Sequence, residues 1–248
     1  APEKTIHGAI LASNELSNNE HIVLIGNKKN ILQELLHHKV DENQFEIIDA
    51  SQVIEMGEHP TRAFKQKPDS SIAKGFELLG NGEIDGFASA GNTGAMFVGG
   101  FYTVKAISGV IRPCISTILP KENGSVGVLL DVGANADCKP DVLYQFGILG
   151  SLFAEFVCGV KNPKIGLLNL GEEKTKGNLL TQATYSMMDG TEDFNFIGNI
   201  ESRDIFTEKG DVIVCDGFTG NIVLKQAEAF YNLISKRGIE DDYFNRFN

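Results

Sequence analysis

Five short stretches carry most of the chemistry-bearing residues of this sequence. Residues 129–140, LLDVGANADCKP, run from two leucines into Asp131, Gly133, Asn135, Asp137 and Lys139. Four more share that character: SAGNTGAM (89–96), NLGEEKTKGN (169–178), GNIESRD (198–204) and CDGFTGN (215–221). Glycine lets a backbone come close to a ligand. The first turn of a helix offers unpaired N–H groups and positive partial charge. Asn92, Thr93, Asn135, Asn178, Thr219 and Asn221 add neutral donors, and Lys139, Lys174, Lys176, Arg203 and Lys225 can neutralise charge. Such a set suits an anion. Any one Gly/Asn/Asp turn is explained equally well as a helix cap; their recurrence points to a shared cleft. Lys225 falls inside a predicted helix, where a solvated lysine explains it as well.

The missing motifs narrow the chemistry. No G-x-x-x-x-G-K-[ST] loop occurs, no G-x-G-x-x-G follows the first strand, and NGSVG (123–127) has the wrong spacing for a nucleophile elbow. His7, His21, His37, His38 and His59 all lie outside the five turns. Neither a histidine general base nor a histidine-rich metal site is expected, and no metal or cofactor is expected at all. Acyl transfer from a thioester to phosphate fits what remains. Phosphate is anionic and nucleophilic near neutral pH, and a thiol leaving group has a pKa of about 8.5, so strong acid or base help is less necessary. The protein has to hold the phosphate, align it and stabilise the oxyanion.

The elements that must position these turns alternate. Apolar runs predict strands over 21–26, 45–50, 84–90, 114–119, 126–132, 164–170, 194–199 and 211–216. Helices are predicted over 3–16, 29–38, 69–80, 92–106, 140–159, 177–189 and 219–236. Near-continuous apolar strands separated by helices describe an α/β fold, a mostly parallel sheet covered on both faces. The carboxyl ends of parallel strands share one edge, so the five turns are expected around one cleft there.

Composition sets outer limits. The 248 residues are 42% hydrophobic, enough for a sizeable core, and the net charge of −11 disfavours nucleic acid. Cys114, Cys138, Cys158 and Cys215 form no C-x-x-C pair and read as reduced thiols. No apolar stretch is long enough to span a bilayer, and no secretory signal opens the chain. APEKTIHGAI begins as a helix with no strand before it, and RGIEDDYFNRFN ends without one, so both ends are expected to continue in a longer protein.

SAGNTGA (89–95), LLDVGANADCKP (129–140), GLLNLGEEKTKGN (166–178), NFIGNIESRDIF (195–206) and VCDGFTGNIVLK (214–225) together resemble the bacterial phosphate acyltransferase family, the PlsX type of phospholipid synthesis. The resemblance runs in order along nearly the whole chain, as a single α/β domain over 1–248. It implies a three-layer α/β/α sandwich like that of isocitrate and isopropylmalate dehydrogenases. It also implies conversion of acyl-[acyl carrier protein] and inorganic phosphate to acyl phosphate, which a membrane glycerol-3-phosphate acyltransferase then uses. A cytoplasmic homodimer in peripheral contact with the inner face of the membrane goes with it. The family's opening strand, its Gly-Gly-Asp turn and most of its carboxyl-terminal region are absent, and a longer helical insertion is expected near Ser235–Arg237.

Residue roles follow on this footing. Phosphate binding is assigned to the 171–178 turn with Gly171, Lys176, Gly177 and Asn178, and to Asn92, Thr93 and Gly94. Gly133, Arg203, Thr219 and Gly220 complete the substrate set, and Lys139 either joins it or pairs with Asp137. Asn135 and Asn221 are candidate oxyanion donors. Asp131 and Asp216 are better read as orienting or capping groups than as bases. Helix residues 92–104 line an acyl channel or belong to the core, with the core reading the stronger. Arg62, Lys65 and Lys67 either dock the acidic carrier protein or face solvent. The rival readings are a phosphotransacetylase using acyl-coenzyme A, a nicotinamide-dependent dehydrogenase, and a non-catalytic phosphate or acyl-ligand sensor.

Overall fold

The computed structural model describes residues 2–17 and 19–238, which divide into two compact units, one up to Ile107 and one from Ser108.

The first unit holds α1 (Pro2–Ser13), β1 (Val23–Gly26), α2 (Lys28–His37), β2 (Glu46–Asp49), α3 (Pro60–Gln66), α4 (Ser71–Asn81) and α5 (Thr93–Gly99). Strands β1 and β2 pair in parallel. Helix starts follow side-chain chemistry. Asn27 accepts from the Asn30 N–H, Ser70 from the Ala73 N–H, and Asn92 from the Ala95 N–H. Helix α4 stops at Gly82, whose φ of 74° suits glycine. Ile6, Leu24, Ile31, Leu35 and Phe45 make one core, and Ile54, Ala63, Ile72, Phe76 and Ala95 another.

Three expectations change in this unit. Residues 84–90 form no strand; Phe87 instead packs its ring on Phe76 at 5.2 Å between centroids, and Gly75 makes room for it. A helix appears over Pro60–Gln66, with Pro60 at its first position. The helix expected over 92–106 is α-helical only to Gly99 and continues as a π-helical turn over Gly100–Val104.

The second unit holds β3 (Ser116–Pro120), β4 (Val126–Leu130), α6 (Pro140–Phe156), β5 (Lys164–Asn169), α7 (Leu179–Met188), β6 (Asn195–Glu201), β7 (Val212–Val214) and α8 (Gly217–Lys236). The sheet order is β3-β4-β7-β5-β6, with β3 antiparallel to β4 and the other pairs parallel. Strand periodicity sorts the core into two faces. Val128, Leu130, Ile165, Leu167, Val212 and Val214 meet Phe146 of α6 and Tyr185 and Met188 of α7. Leu129, Leu168, Ile213 and Cys215 point the other way, where Val223 and Leu224 of α8 pack. Helices therefore cover both faces, as near-continuous apolar strands require. Phe146 is wholly buried, and truncating such a ring to alanine costs about 3–5 kcal/mol. Lys121, 2% exposed, bonds Asp211 at 2.5 Å, and Asp211 also accepts the Lys164 N–H. Burial disfavours the Asp211 carboxylate, but these donors outweigh it and hold its pKa below the ordinary value.

Candidate active site

The chain leaves β5 toward one face of the sheet, through α7, and leaves the neighbouring β7 toward the other, through α8. A crevice must open between two such strand ends, and open α/β sheets bind their ligands there. A cavity of about 310 Å³ occupies that place. Asn169, Leu170, Gly177, Asn178 and Thr181 form one wall, and Asp216, Thr219 and Val223 the other, with Cys215, Leu143 and Ser202 completing it. The first unit has a hollow of about 430 Å³ between Phe64, Pro68, Ala73, Glu77 and Thr103. It contains none of the turn residues.

Two helices start at the crevice. At α7, Asn178 accepts the Thr181 N–H at 2.9 Å, and the Leu179 and Leu180 N–H groups keep no partner among the described residues. At α8, Asp216 accepts both the N–H and the hydroxyl of Thr219, at 2.8 and 3.0 Å. Asp216 is thus a cap, as the sequence suggests. Both helix starts turn positive partial charge toward the cavity.

The loop from β5 to α7 is tied down almost everywhere. Asn169 donates to the Lys176 carbonyl, Gln182 to those of Thr175 and Gly177, and Asn199 to that of Glu173. Glu172 pairs with Lys209, and Lys174 with Asp189. Gly177 has φ of 97°, and a Cβ there would lie 2.0 Å from Thr181 Oγ1, so no other residue fits. Lys176 is exposed and has no ion pair among the described residues. It is the loop's uncommitted cation, with its stem beside Gly171.

The loop from β4 to α6 is organised by Asp131, which is fully buried. One carboxylate oxygen accepts the N–H groups of Ile115, Gly133 and Ala134 at 3.0–3.1 Å. The other accepts the Asn135 N–H at 2.7 Å and its side-chain amide at 2.8 Å. With five donors around it, Asp131 has no lone pair facing a substrate and acts as a scaffold. Asn135 gives its second amide hydrogen to the Pro113 carbonyl at 2.8 Å, so this buried side chain is committed within the loop. Asn221 is exposed and flanks Gly133, whose φ is 141°. Helix α8 docks flush on the same loop. The Gly217 N–H donates to the Asn135 carbonyl at 2.8 Å, and a Cβ on Gly220 would fall 1.9 Å from the Asp131 carbonyl oxygen.

The remaining candidates separate. Lys139 is exposed at the head of α6 and forms no ion pair with Asp137. Arg203 pairs with Glu201 at 3.0 Å, and Lys225 with Glu228 at 2.8 Å. Asn92, Thr93 and Gly94 belong to the first unit, and their turn follows no strand. Asn92 is buried and donates to the carbonyls of Glu55, Met56 and Glu58 while capping α5; Gly94 sits against Pro60. Lys67 pairs with Glu58 and Lys65 lies over the Tyr102 ring, leaving Arg62 exposed. Four of the five turns therefore share a sheet edge. Sequence reasoning did not single out Thr181, Ser202 or Cys215; Thr181 is recognisable as the residue three after the Asn178 cap.

All four cysteines are free. Burial, then the Asp131 charge, pushes the Cys114 thiol up to about 12 and the Cys138 thiol up to about 11; burial, then the Asp216 charge, pushes Cys215 higher still. None of these three is a ready thiolate nucleophile.

A family model described as a fatty acid synthesis protein matches residues 1–240. A phosphate acyltransferase of Dictyoglomus turgidum is 46% identical over 92% of this chain and 67% of its own length. The chain belongs to the PlsX-type phosphate acyltransferase family. The enzyme class is therefore phosphate acyl transfer, in fatty acid and phospholipid synthesis. A second member, from Halothermothrix orenii, is 44% identical over 92% of this chain and 68% of its own. A phosphotransacetylase from Streptococcus pyogenes shares the fold, with a TM-score of 0.64 at 15% identity, over 90% of this chain and 78% of that one.

Proposed function

We propose that the chain converts acyl-[acyl carrier protein] and inorganic phosphate to acyl phosphate and free carrier protein. The carrying observation is the switch-point crevice, where two helix starts converge with no histidine among the described lining residues, together with an uncommitted lysine, Lys176, in the loop that leads into α7. Phosphate binds to the free N–H groups of Leu179 and Leu180 and to the Lys176 ammonium, beside Thr181 and Thr219, whose hydroxyls donate to the Asn178 carbonyl and the Asp216 carboxylate. A phosphate oxygen attacks the thioester carbonyl carbon. The C–O bond forms, the C–S bond breaks, and the carrier thiolate leaves and takes a proton from water. Neutral donors facing the carbonyl stabilise the oxyanion, and Asn221 beside Gly133 is the better placed asparagine for this, since Asn135 has both amide hydrogens committed. Both units belong to one functional domain, and the working form is a homodimer in peripheral contact with the membrane, supplying a membrane acyltransferase.

The phosphotransacetylase fold makes acyl-coenzyme A the alternative thioester. Thiol release from acyl carrier protein and from acyl-coenzyme A, each with and without phosphate, decides between them. The proposal expects faster release from the carrier protein, only with phosphate, and an acyl phosphate that hydroxylamine traps. Faster turnover of acyl-coenzyme A would favour the alternative; release without phosphate would make the enzyme a thioesterase.

A further inference from the structure

The last turn of α2 carries Glu34, His37 and His38, at spacings of three and four residues that put them on one face. One ligand atom from each lies within 4.8 Å of the other two. His37 Nδ1 is 3.9 Å from a Glu34 carboxylate oxygen. The sequence alone leads to no expectation of a histidine-rich metal site here. It does not show that His38 turns inward. Its Nε2 is shut off from solvent and has no hydrogen-bond partner. Buried polar nitrogens without partners are rare, and each calls for an explanation such as a missing ion. His7 of α1 stacks on the His38 ring, at 4.9 Å between centroids and 9° between planes, which fixes the ring's orientation. The carbonyl end of α2 adds negative partial charge at the same spot.

We propose that Glu34, His37 and His38 bind a late first-row divalent cation, with zinc as the ion to test. Two imidazoles and one carboxylate match its preferences and leave a fourth position for water. Metal–ligand bonds of about 2.0–2.1 Å in a tetrahedron set the ligand atoms about 3.3 Å apart, so the three groups must close by about 1.5 Å from their widest spacing. The His37 side chain is 73% exposed and is free to make that movement, while His38 stays fixed against His7. The ion would bond a ring nitrogen of His38 and fasten the end of α2. The site rests on geometry within the first unit and is independent of the acyl-transfer reading.

The test is a titration of metal-stripped full chain with zinc chloride against a chromophoric chelator. One ion per chain is expected. His37→Ala, at an exposed position, and Glu34→Gln, at a half-buried one, should each weaken binding at least about tenfold. His38→Gln should abolish it, and the first two variants decide the matter if that protein fails to fold. Cobalt(II) should give visible bands without thiolate charge transfer, because no sulfur ligates. No stoichiometric binding, parental affinity in His37→Ala and Glu34→Gln, or a thiolate band placing the ion on cysteine would each overturn the proposal.

Discussion

Asp131→Asn removes one acceptor oxygen from the most heavily used carboxylate at the β4 edge. The amide nitrogen must face either three donors, those of Ile115, Gly133 and Ala134, or two, both from Asn135. The better orientation still loses two hydrogen bonds and sets N–H groups against each other. At about 1.5–3 kcal/mol for each bond to a charged acceptor, the loss is about 3–6 kcal/mol. That is a large part of the 5–15 kcal/mol typical of a folded domain. Urea unfolding should show it as a midpoint lower by roughly 1–3 M, for a slope of about 2–3 kcal/mol per M. Amide exchange at Gly133, Ala134 and Asn135 should accelerate. Asp216→Asn is the control, since asparagine caps a helix as well as aspartate does, and it should stay within about 0.5 kcal/mol of the parent. The reasoning fails if Asp131→Asn keeps its stability within about 1 kcal/mol while turnover collapses, which would make Asp131 a base and not a scaffold.

Lys176→Met should leave the fold intact and weaken phosphate use roughly ten- to a hundredfold, from loss of one charge-assisted contact of about 1.5–3 kcal/mol. Initial rates against phosphate concentration measure it, and a change within about twofold would move the phosphate site to another turn. Gly220→Ala would put a methyl carbon 1.9 Å from the Asp131 carbonyl oxygen, where only backbone can give way. It should destabilise the protein by about 1–3 kcal/mol or more and lower turnover with it, read by thermal unfolding and thiol release. Cys138, at about 11, should alkylate about two hundred times more slowly at pH 8 than a free thiol of pKa about 8.5, from thiolate fraction alone. Because its pKa is raised in the folded state, the associated stability is complete below about pH 8.5 and is lost as pH climbs toward 11. Iodoacetamide labelling and urea midpoints across that range check both.

Much of the second unit is legible in the sequence because its strands are buried on both faces. Runs such as VGVLL and KIGLLN can satisfy only a covered parallel sheet, and each predicted strand there lies within a few residues of the observed one. The cap residue Asp216 is legible for a local reason, a side-chain acceptor three positions before an N–H, whereas Asn178, expected to bind phosphate, is the cap of α7. Residues 84–90 mislead because strand formation needs a neighbour, and pattern alone does not say whether one exists. Their apolar content is met by Phe87 anchoring on Phe76. Helix α3 was hidden by its brevity and by three basic residues that read as a charged surface, although Pro60 marks its start. Asn92 and Asn135 look like ligand donors on paper. Asn92 spends its amide on carbonyls of distant residues, and Asn135 spends its amide on the distant Pro113 carbonyl as well as on Asp131; no local pattern records the distant bonds.

The account rests on phosphate occupying the crevice between the β5 and β7 ends. Electron density from crystals of the full-length enzyme grown with phosphate tests that most directly. A tetrahedral peak should lie between the starts of α7 and α8, beside Thr181 and Thr219 and within hydrogen-bond reach of the Leu179 and Leu180 N–H groups. A well-occupied phosphate at another turn, with this crevice filled only by water at a saturating concentration, would contradict the account.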